Sequence, residues 1–279
     1  MGYKIVVDSC GELTEQMKKD DRFISVPLTL TINGEEIIDD ESFNQQECLR
    51  KMDDSPECPR SACPSPQKYM DIFMSGEERY YAVTLSEKLS GSYNSAVLGR
   101  EMALEKNPAL NIHIFNSRSA SIGETLIASH VLECENKEMN FEQTVKDTEE
   151  YINSQNTFFV LENLDVLRKN GRLSNLKSLV ASALKIRPIM GATREGSICQ
   201  LSQARGINKA LSKMVDFIAE KVKDSEQKIL AIAYCNCRER AQKVKEEILK
   251  KIKVKDVVLL NTGGISTMYA NDGGIIVAI

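Results

Sequence analysis

The chain has 279 residues, 42% of them hydrophobic and 27% charged, which suits an ordinary globular protein of two domains or one large one. Its net charge of −4 argues against general nucleic-acid binding, and no run of 18 apolar residues is present to span a membrane. Eight cysteines at positions 10, 48, 58, 63, 134, 199, 235 and 237 are scattered, and neither Cys58/Cys63 nor Cys235/Cys237 has a nearby His or a matching Cys pair. With no signal peptide read ahead of Tyr3, a reduced cytoplasmic setting without zinc is expected.

Taken in order, Tyr3–Val7 reads as a buried strand ending in the polar turn Asp8-Ser9-Cys10-Gly11, with a helix from about Glu12. Ile24–Ile32 alternates, Asn33-Gly34 marks a hairpin and Glu35–Ile38 returns. An acidic loop at Asp39–Ser42 leads to a short helix over Phe43–Met52. Ser61 lies in a proline-flanked extended loop, and Ser65-Pro66 reads as the N-cap and first position of the next helix. Ile112–Phe115 is a strand, followed by a polar turn at Asn116-Ser117, a helix through about Cys134 and another over Phe141–Ser154.

The rhythm predicts a parallel α/β sheet in the first half. A boundary near 153–156 divides it from a second half. There Thr157–Leu161 is a strand, Glu162–Asn170 a helix broken at Gly171-Arg172-Leu173-Ser174, and Asn175–Leu184 a helix. Gly191–Gln203 is a hairpin around Glu195-Gly196. An amphipathic helix from Ile207 follows, then the strand Ile229–Tyr234, the helix Arg238–Ile252 and the strand Val257–Leu260. A Gly-rich turn at Asn261–Ser266 and a final strand at Ile275–Ile279 close the sequence.

The stretch Arg79–Ala96 organises this pattern. A buried strand at Tyr80–Leu85 meets a helix from Tyr93 through the corner Leu89-Ser90-Gly91-Ser92. Such a corner leaves backbone N–H groups pointing outward beside the positive end of the helix dipole, a place suited to an anion. Ser90 is a candidate donor to an acidic head group, and Ser61 a second. Asp8-Ser9, Ser90-Gly91 and Asn116-Ser117 all fall at carboxyl ends of predicted strands, where open α/β sheets bind ligands.

There is no Walker A pattern and no GxGxxG after the first strand, so no nucleotide cofactor is expected. The two histidines, His113 in a strand and His130 within a helix, read as structural, and neither Ser61 nor Ser90 lies in GxSxG. Polar donors without a base or metal fit a binding protein. Two readings stand beside it: an acyl-processing enzyme with Ser90 as nucleophile, and a phosphosugar or nucleotide binder using the same helix N-termini.

Five stretches in order, KIVVDS, PRSACPSP, LSGSYNSA, LRKNGRLS and KIRPIM, resemble the motifs of the DegV family of fatty-acid-binding proteins. That resemblance implies a two-domain α/β fold. A parallel Rossmann-like sheet would occupy residues 1–155, and a C-terminal α/β domain with a mixed or antiparallel sheet residues 156–279. It implies one long-chain fatty acid, with its carboxylate at the domain interface and its tail buried in the C-terminal domain, in some members presented to a separate fatty acid kinase. The family's carboxylate-binding Thr and Ser fall on Ser61 and Ser90, with Gly91 beside them, and the Arg of its G-R-I-S stretch falls on Arg172. Two departures stand out. Ser61-Ala62-Cys63 replaces T-S-Q, and Tyr269 replaces the histidine of the closing H-x-G-P-G. A phenol still donates a hydrogen bond but does not titrate near neutral pH, so ligand binding survives this change more easily than kinase-coupled chemistry.

Overall fold

The computed structural model describes residues 2–174, 176 and 185–279. The first half contains β1 (Tyr3–Asp8), α1 (Glu15–Lys19), β2 (Phe23–Val26), β3 (Thr29–Ile32), β4 (Glu35–Ile38), α2 (Gln45–Asp54), β5 (Arg60–Ala62), α3 (Pro66–Phe73), β6 (Arg79–Thr84), α4 (Ser92–Lys106), β7 (Asn111–Asn116), α5 (Ile122–Asn136) and α6 (Phe141–Ser154). The second contains β8 (Thr157–Val160), α7 (Asp165–Lys169), β9 (Ile186–Ala192), β10 (Ile198–Arg205), α8 (Ile207–Lys221), β11 (Ile229–Tyr234), α9 (Arg238–Leu249), β12 (Asp256–Asn261), α10 (Gly264–Ala270) and β13 (Ile275–Ala278).

Strands β2-β1-β6-β7 form a four-stranded sheet, parallel throughout. Because side chains alternate across a strand, its apolar runs feed two cores. Ile5, Val7, Tyr81, Val83 and Phe115 pack on Ile127, Ala128 and Val131 of α5 and Ile152 of α6. Val6, Tyr80, Ala82 and Ile114 pack on Tyr69, Met70 and Phe73 of α3 and Ala96 and Ala103 of α4. The second sheet runs β10-β9-β8-β13-β11-β12 and is mixed, with only β11 and β12 parallel. Strand β13 sits between β8 and β11. One face of this sheet is covered by α8 and α9. On the other, the small residues Ala231, Ala233 and Ala278 let Ile122 and Leu126 of α5 approach closely. The expected pairing of a parallel and a mixed sheet is what the chain builds.

Several local expectations are corrected. The first helix begins at Glu15, with the Thr14 hydroxyl accepting from the Met17 N–H, because Glu12 is drawn inward and buried. The alternating run Ile24–Ile32 breaks at Pro27-Leu28 into β2 and β3, which belong to different sheets. Proline has no N–H for the ladder. Ser61 lies in a strand rather than a loop: β5 pairs with β3 in a three-stranded antiparallel sheet, β4-β3-β5, with Leu30 opposite Ser61. The turn expected over Asn261–Ser266 gives way at Gly264 to α10. The Ser65 cap and the Asn33-Gly34 hairpin form as expected. The helix expected over Asn175–Leu184 falls, apart from Leu176, outside the described residues.

Helices α3 and α4 touch at backbone distance. A Cβ on Gly99 would lie 2.6 Å from Tyr69 Cβ and 2.7 Å from the Pro66 carbonyl oxygen. Replacing Gly99 by valine therefore forces the helices apart and costs about 1–3 kcal/mol. Urea unfolding of Gly99→Val should show a lower midpoint with the slope unchanged.

Candidate functional site

The carboxyl edge of the first sheet faces the inner side of the second, and a cavity lies between them. Phe159, Leu161, Ile198 and Ile276 line its sheet side, and Leu28, Leu85, Leu89, Leu167 and Ile265 line much of the rest. It holds about 830 Å³ not occupied by protein atoms, its open mouth included. The lining is predominantly apolar, with polar groups gathered in two places.

One place joins Ser61, Ser90, Arg172 and Tyr269, all of which line the cavity. The Ser61 and Tyr269 hydroxyl oxygens are 3.0 Å apart. Two hydroxyls carry two protons and spend one on each other, so one O–H remains for an acceptor. Burial raises the Tyr269 pKa above its ordinary value, against the lowering influences of Ser61 and Arg172, so the phenol is protonated at neutral pH. The Arg172 guanidinium stacks over the Tyr269 ring at 5.4 Å. It donates from Nε to the Leu89 carbonyl at 3.0 Å and from Nη1 to the Asn170 carbonyl at 2.9 Å, fixing a positive charge beside the Ser90 corner.

Ser90 Oγ accepts from the Ser92 N–H at 3.1 Å and donates to Ser92 Oγ at 3.1 Å. Its proton is thus directed along the chain, and gripping a ligand requires the hydroxyl to rotate. Gly91 is the N-cap of α4 and is exposed; it is not among the cavity-lining residues. The segments after Ser61 and Ser90 approach each other at Cys63, whose Sγ is 3.7 Å from Ser95 Oγ of α4. Of the three polar turns, the first contributes Cys10 and the second Ser90 to the lining, while Ser9 and Asn116 face elsewhere. Ser9 turns its hydroxyl to Asp39, and Asn116 Oδ1 accepts from the Glu87 and Arg118 N–H groups. The second polar place holds Arg118, Ser119, Thr157 and Ser197, with Ser119 Oγ 2.6 Å from Thr157 Oγ1.

Neither histidine lines the cavity. His113 contacts Glu149 at 3.3 Å and His130 contacts Asp147 at 2.6 Å. The hydrogen bonds of Ser90 run to Ser92 and contain no base, which counts against the nucleophile reading.

Sequence reading missed the carboxylates behind this wall. Asp39 is buried and accepts from the Gly264 N–H at 2.6 Å, the Ile265 N–H at 2.9 Å and Ser9 Oγ at 2.9 Å, so it caps the first turn of α10. A Cβ on Gly264 would lie 2.5 Å from Asp39 Oδ1, so this approach requires glycine. Burial pushes the Asp39 pKa up to about 6, against the lowering effect of these three donors. Glu12 accepts from Ser121 Oγ at 2.8 Å and the Gly263 N–H at 3.3 Å, and burial raises its pKa to about 7. Asp8 and Glu124 lie fully buried against each other and are raised in the same direction by burial, Glu124 also by the charge of Asp8. The available sequence signal for α10 was Ile265, Met268 and Tyr269, spaced i, i+3, i+4 after two glycines.

Comparison with known proteins identifies the family. The DegV family profile matches residues 3–279. A DegV domain-containing protein of Streptococcus pyogenes serotype M18 is 34% identical to the chain, covering 99% of it and 98% of the relative. A DegV-family crystal structure from Ruminococcus gnavus, refined with vaccenic acid, is 52% identical with a TM-score of 0.97 and covers 99% of each chain. The fatty acid kinase (Fak) B3 protein of Streptococcus pneumoniae, loaded with linoleic acid, is 30% identical with a TM-score of 0.89, covering 100% of this chain and 99% of that one.

The raised pKa of Glu12 makes a pH dependence. The folded state holds this proton up to about pH 7, whereas the side chain ordinarily ionises near 4.5. Its contribution is therefore fully present below pH 4.5 and is lost as pH rises through about 7. Glu12→Gln keeps the shape and cannot ionise. Its unfolding free energy should fall less between these pH values than that of the wild type, by roughly 3 kcal/mol, as read from urea titrations across the range.

Proposed function

The chain belongs to the DegV family, and on that premise we propose that it binds one long-chain fatty acid, as a carrier that does not transform it alone. The observation that carries this reading is the apolar cavity between the two sheets, with hydroxyls and a guanidinium gathered at one end. In this reading the carboxylate accepts hydrogen bonds from the Ser61–Tyr269 pair and from a rotated Ser90, with Arg172 balancing its charge. Gly91 helps by starting α4 beside Ser90, its dipole favouring the anion. The tail enters the apolar part of the cavity, in the C-terminal of two α/β domains divided at residues 155 and 156.

The two ends supply different things. Burying about fourteen methylenes at about 0.8 kcal/mol each contributes roughly 11 kcal/mol before entropy costs. The head-group donors provide selection, since an unpaired buried carboxylate is costly. A phosphosugar or nucleotide suits a predominantly apolar cavity poorly.

The eight cysteines, all free thiols in this structure, support a cytoplasmic location as part of the proposal. No helix among the described residues is long and apolar enough to cross a membrane. The similarity to the Fak B3 protein supports a second component of the proposal, presentation of the carboxylate to a separate kinase. Tyr269, kept protonated by burial, orients the head group without exchanging protons near neutral pH.

Solvent extraction of the purified protein followed by mass spectrometry should release a long-chain fatty acid. No lipid on repeated extraction, together with no fatty-acid binding by the delipidated protein, defeats the proposal. Hydrogen bonds to a charged acceptor contribute roughly 1.5–3 kcal/mol each. Ser61→Ala and Ser90→Ala should each weaken binding about ten- to a hundredfold, non-additively in the double variant because both grip one carboxylate. The methyl ester of the same acid should bind less well to wild type and lose less on either substitution. Folded variants with wild-type affinity, and an ester that binds as well as the acid, would remove these residues from the site. Phosphorylation of the bound acid should require an added fatty acid kinase and ATP.

A further inference from the structure

Away from the cavity, α5 and α6 bring together three side chains of different chemistry. His130 and Cys134 stand four residues apart on α5 and so share a face. Asp147 approaches from α6. His130 Nε2 lies 2.6 Å and Cys134 Sγ 3.5 Å from the same oxygen, Asp147 Oδ1. One nitrogen, one sulfur and one oxygen all fall within 4.8 Å of one another. None of the three lines the cavity between the sheets.

A hydrogen bond between packed helices accounts for His130 and Asp147. The Cys134 thiol donates to the same carboxylate oxygen, which brings a third potential ligand atom to that point. Three potential ligand atoms around a common point match the protein share of a tetrahedral metal site.

We propose that His130, Cys134 and Asp147 bind a borderline divalent transition-metal ion, with zinc the ion that fits best. The donor set selects the class. Imidazole and thiolate suit zinc, cobalt and nickel, whereas magnesium and calcium take oxygen ligands. A neutral imidazole, a thiolate and a carboxylate carry −2 together, which cancels the charge of the ion. Binding forms metal–nitrogen, metal–sulfur and metal–oxygen bonds, breaks the hydrogen bonds that His130 and Cys134 make to Asp147, leaves the neutral imidazole with its proton on Nδ1 so that Nε2 is free to ligate, and releases the Cys134 thiol proton to solvent.

Two features prepare the site. The His130 ring stacks on Tyr151, with centroids 4.2 Å apart and planes 12° from parallel, which fixes its orientation. Cys134 is buried while the Asp147 side chain is 44% exposed, so water reaches one side of the trio. Three protein ligands and an open fourth position describe an accessible tetrahedral site. The charges around it are already engaged: Glu133 pairs with Lys137 at 3.1 Å and Lys255 at 3.4 Å.

Cobalt(II) is the probe, because a thiolate on cobalt produces a near-ultraviolet charge-transfer band that nitrogen and oxygen ligands do not. The full-length, chelator-stripped protein should develop this band and saturate at one equivalent, and zinc should bleach it by displacement. Cys134→Ser should abolish the band. Asp147→Asn, at a half-exposed position, should weaken cobalt affinity by about tenfold or more while leaving the far-ultraviolet circular dichroism unchanged. Cys63→Ser, at an exposed cysteine, should titrate like wild type. Absence of the band, its survival in Cys134→Ser, or unchanged affinity in Asp147→Asn would each overturn the assignment. Fatty-acid binding is not part of any of these readouts, so failure here leaves the carrier function standing, and the reverse.

Discussion

The carboxylate of Asp39 holds the candidate site together. It lies just after β4, yet it receives the first two free N–H groups of α10, some 225 residues later in the chain. Four orphan donors open every helix, and an acidic side chain there satisfies both their hydrogen bonding and the dipole. The consequence is positional. Helix α10 is fixed against the small sheet β4-β3-β5, and so Tyr269 near its end meets Ser61 on β5. Ser9 donates to the same carboxylate and accepts from the Leu28 N–H, which extends the tie to the end of β1. Without that junction, a serine and a tyrosine 208 residues apart have no reason to share a hydrogen bond.

This arrangement places acids behind a site read as binding an acid. Glu12, Asp8 and Glu124 are buried beyond Cys10 and Ser266, which themselves line the cavity. The conflict eases because burial raises the pKa of all three, which disfavours their charged forms where these would repel a carboxylate. Arg172 stands on the cavity side of Tyr269 and contributes the opposite sign. Attraction in front and suppressed repulsion behind act in the same direction.

What could be read from the sequence was what local chemistry decides. Apolar runs separated by polar turns gave the parallel sheet, and Ser65-Pro66 and Asn33-Gly34 formed the cap and hairpin their residues demand. The DegV-like motifs pointed to Ser61, Ser90, Arg172 and Tyr269, which line one cavity. Features decided by distant partners escaped. Asp39 looked like part of an acidic loop because its ligands are the N–H groups of a helix at the other end of the sequence. That helix, seven residues long and entered through Gly263-Gly264, looked like a turn. Ser61 looked like loop because its strand is three residues long between prolines and exists through pairing with β3. The meeting of His130 and Cys134 with Asp147 likewise depends on how α5 packs on α6.

The placement of β13 bears on how the protein is made. It pairs with β8 on one side and β11 on the other, yet it follows both in sequence. As the chain leaves the ribosome, the first sheet has all four strands once β7 has emerged. The larger sheet must wait as two separate ribbons, each with an open edge, until β13 arrives to join them. Nascent chains pass through that interval with Phe159 of β8 unable to enclose anything, because its neighbour Ile276 lies on the strand still to come. A chaperone that protects strand edges would therefore find its targets in the second half of this protein at the open edges of β8 and β11.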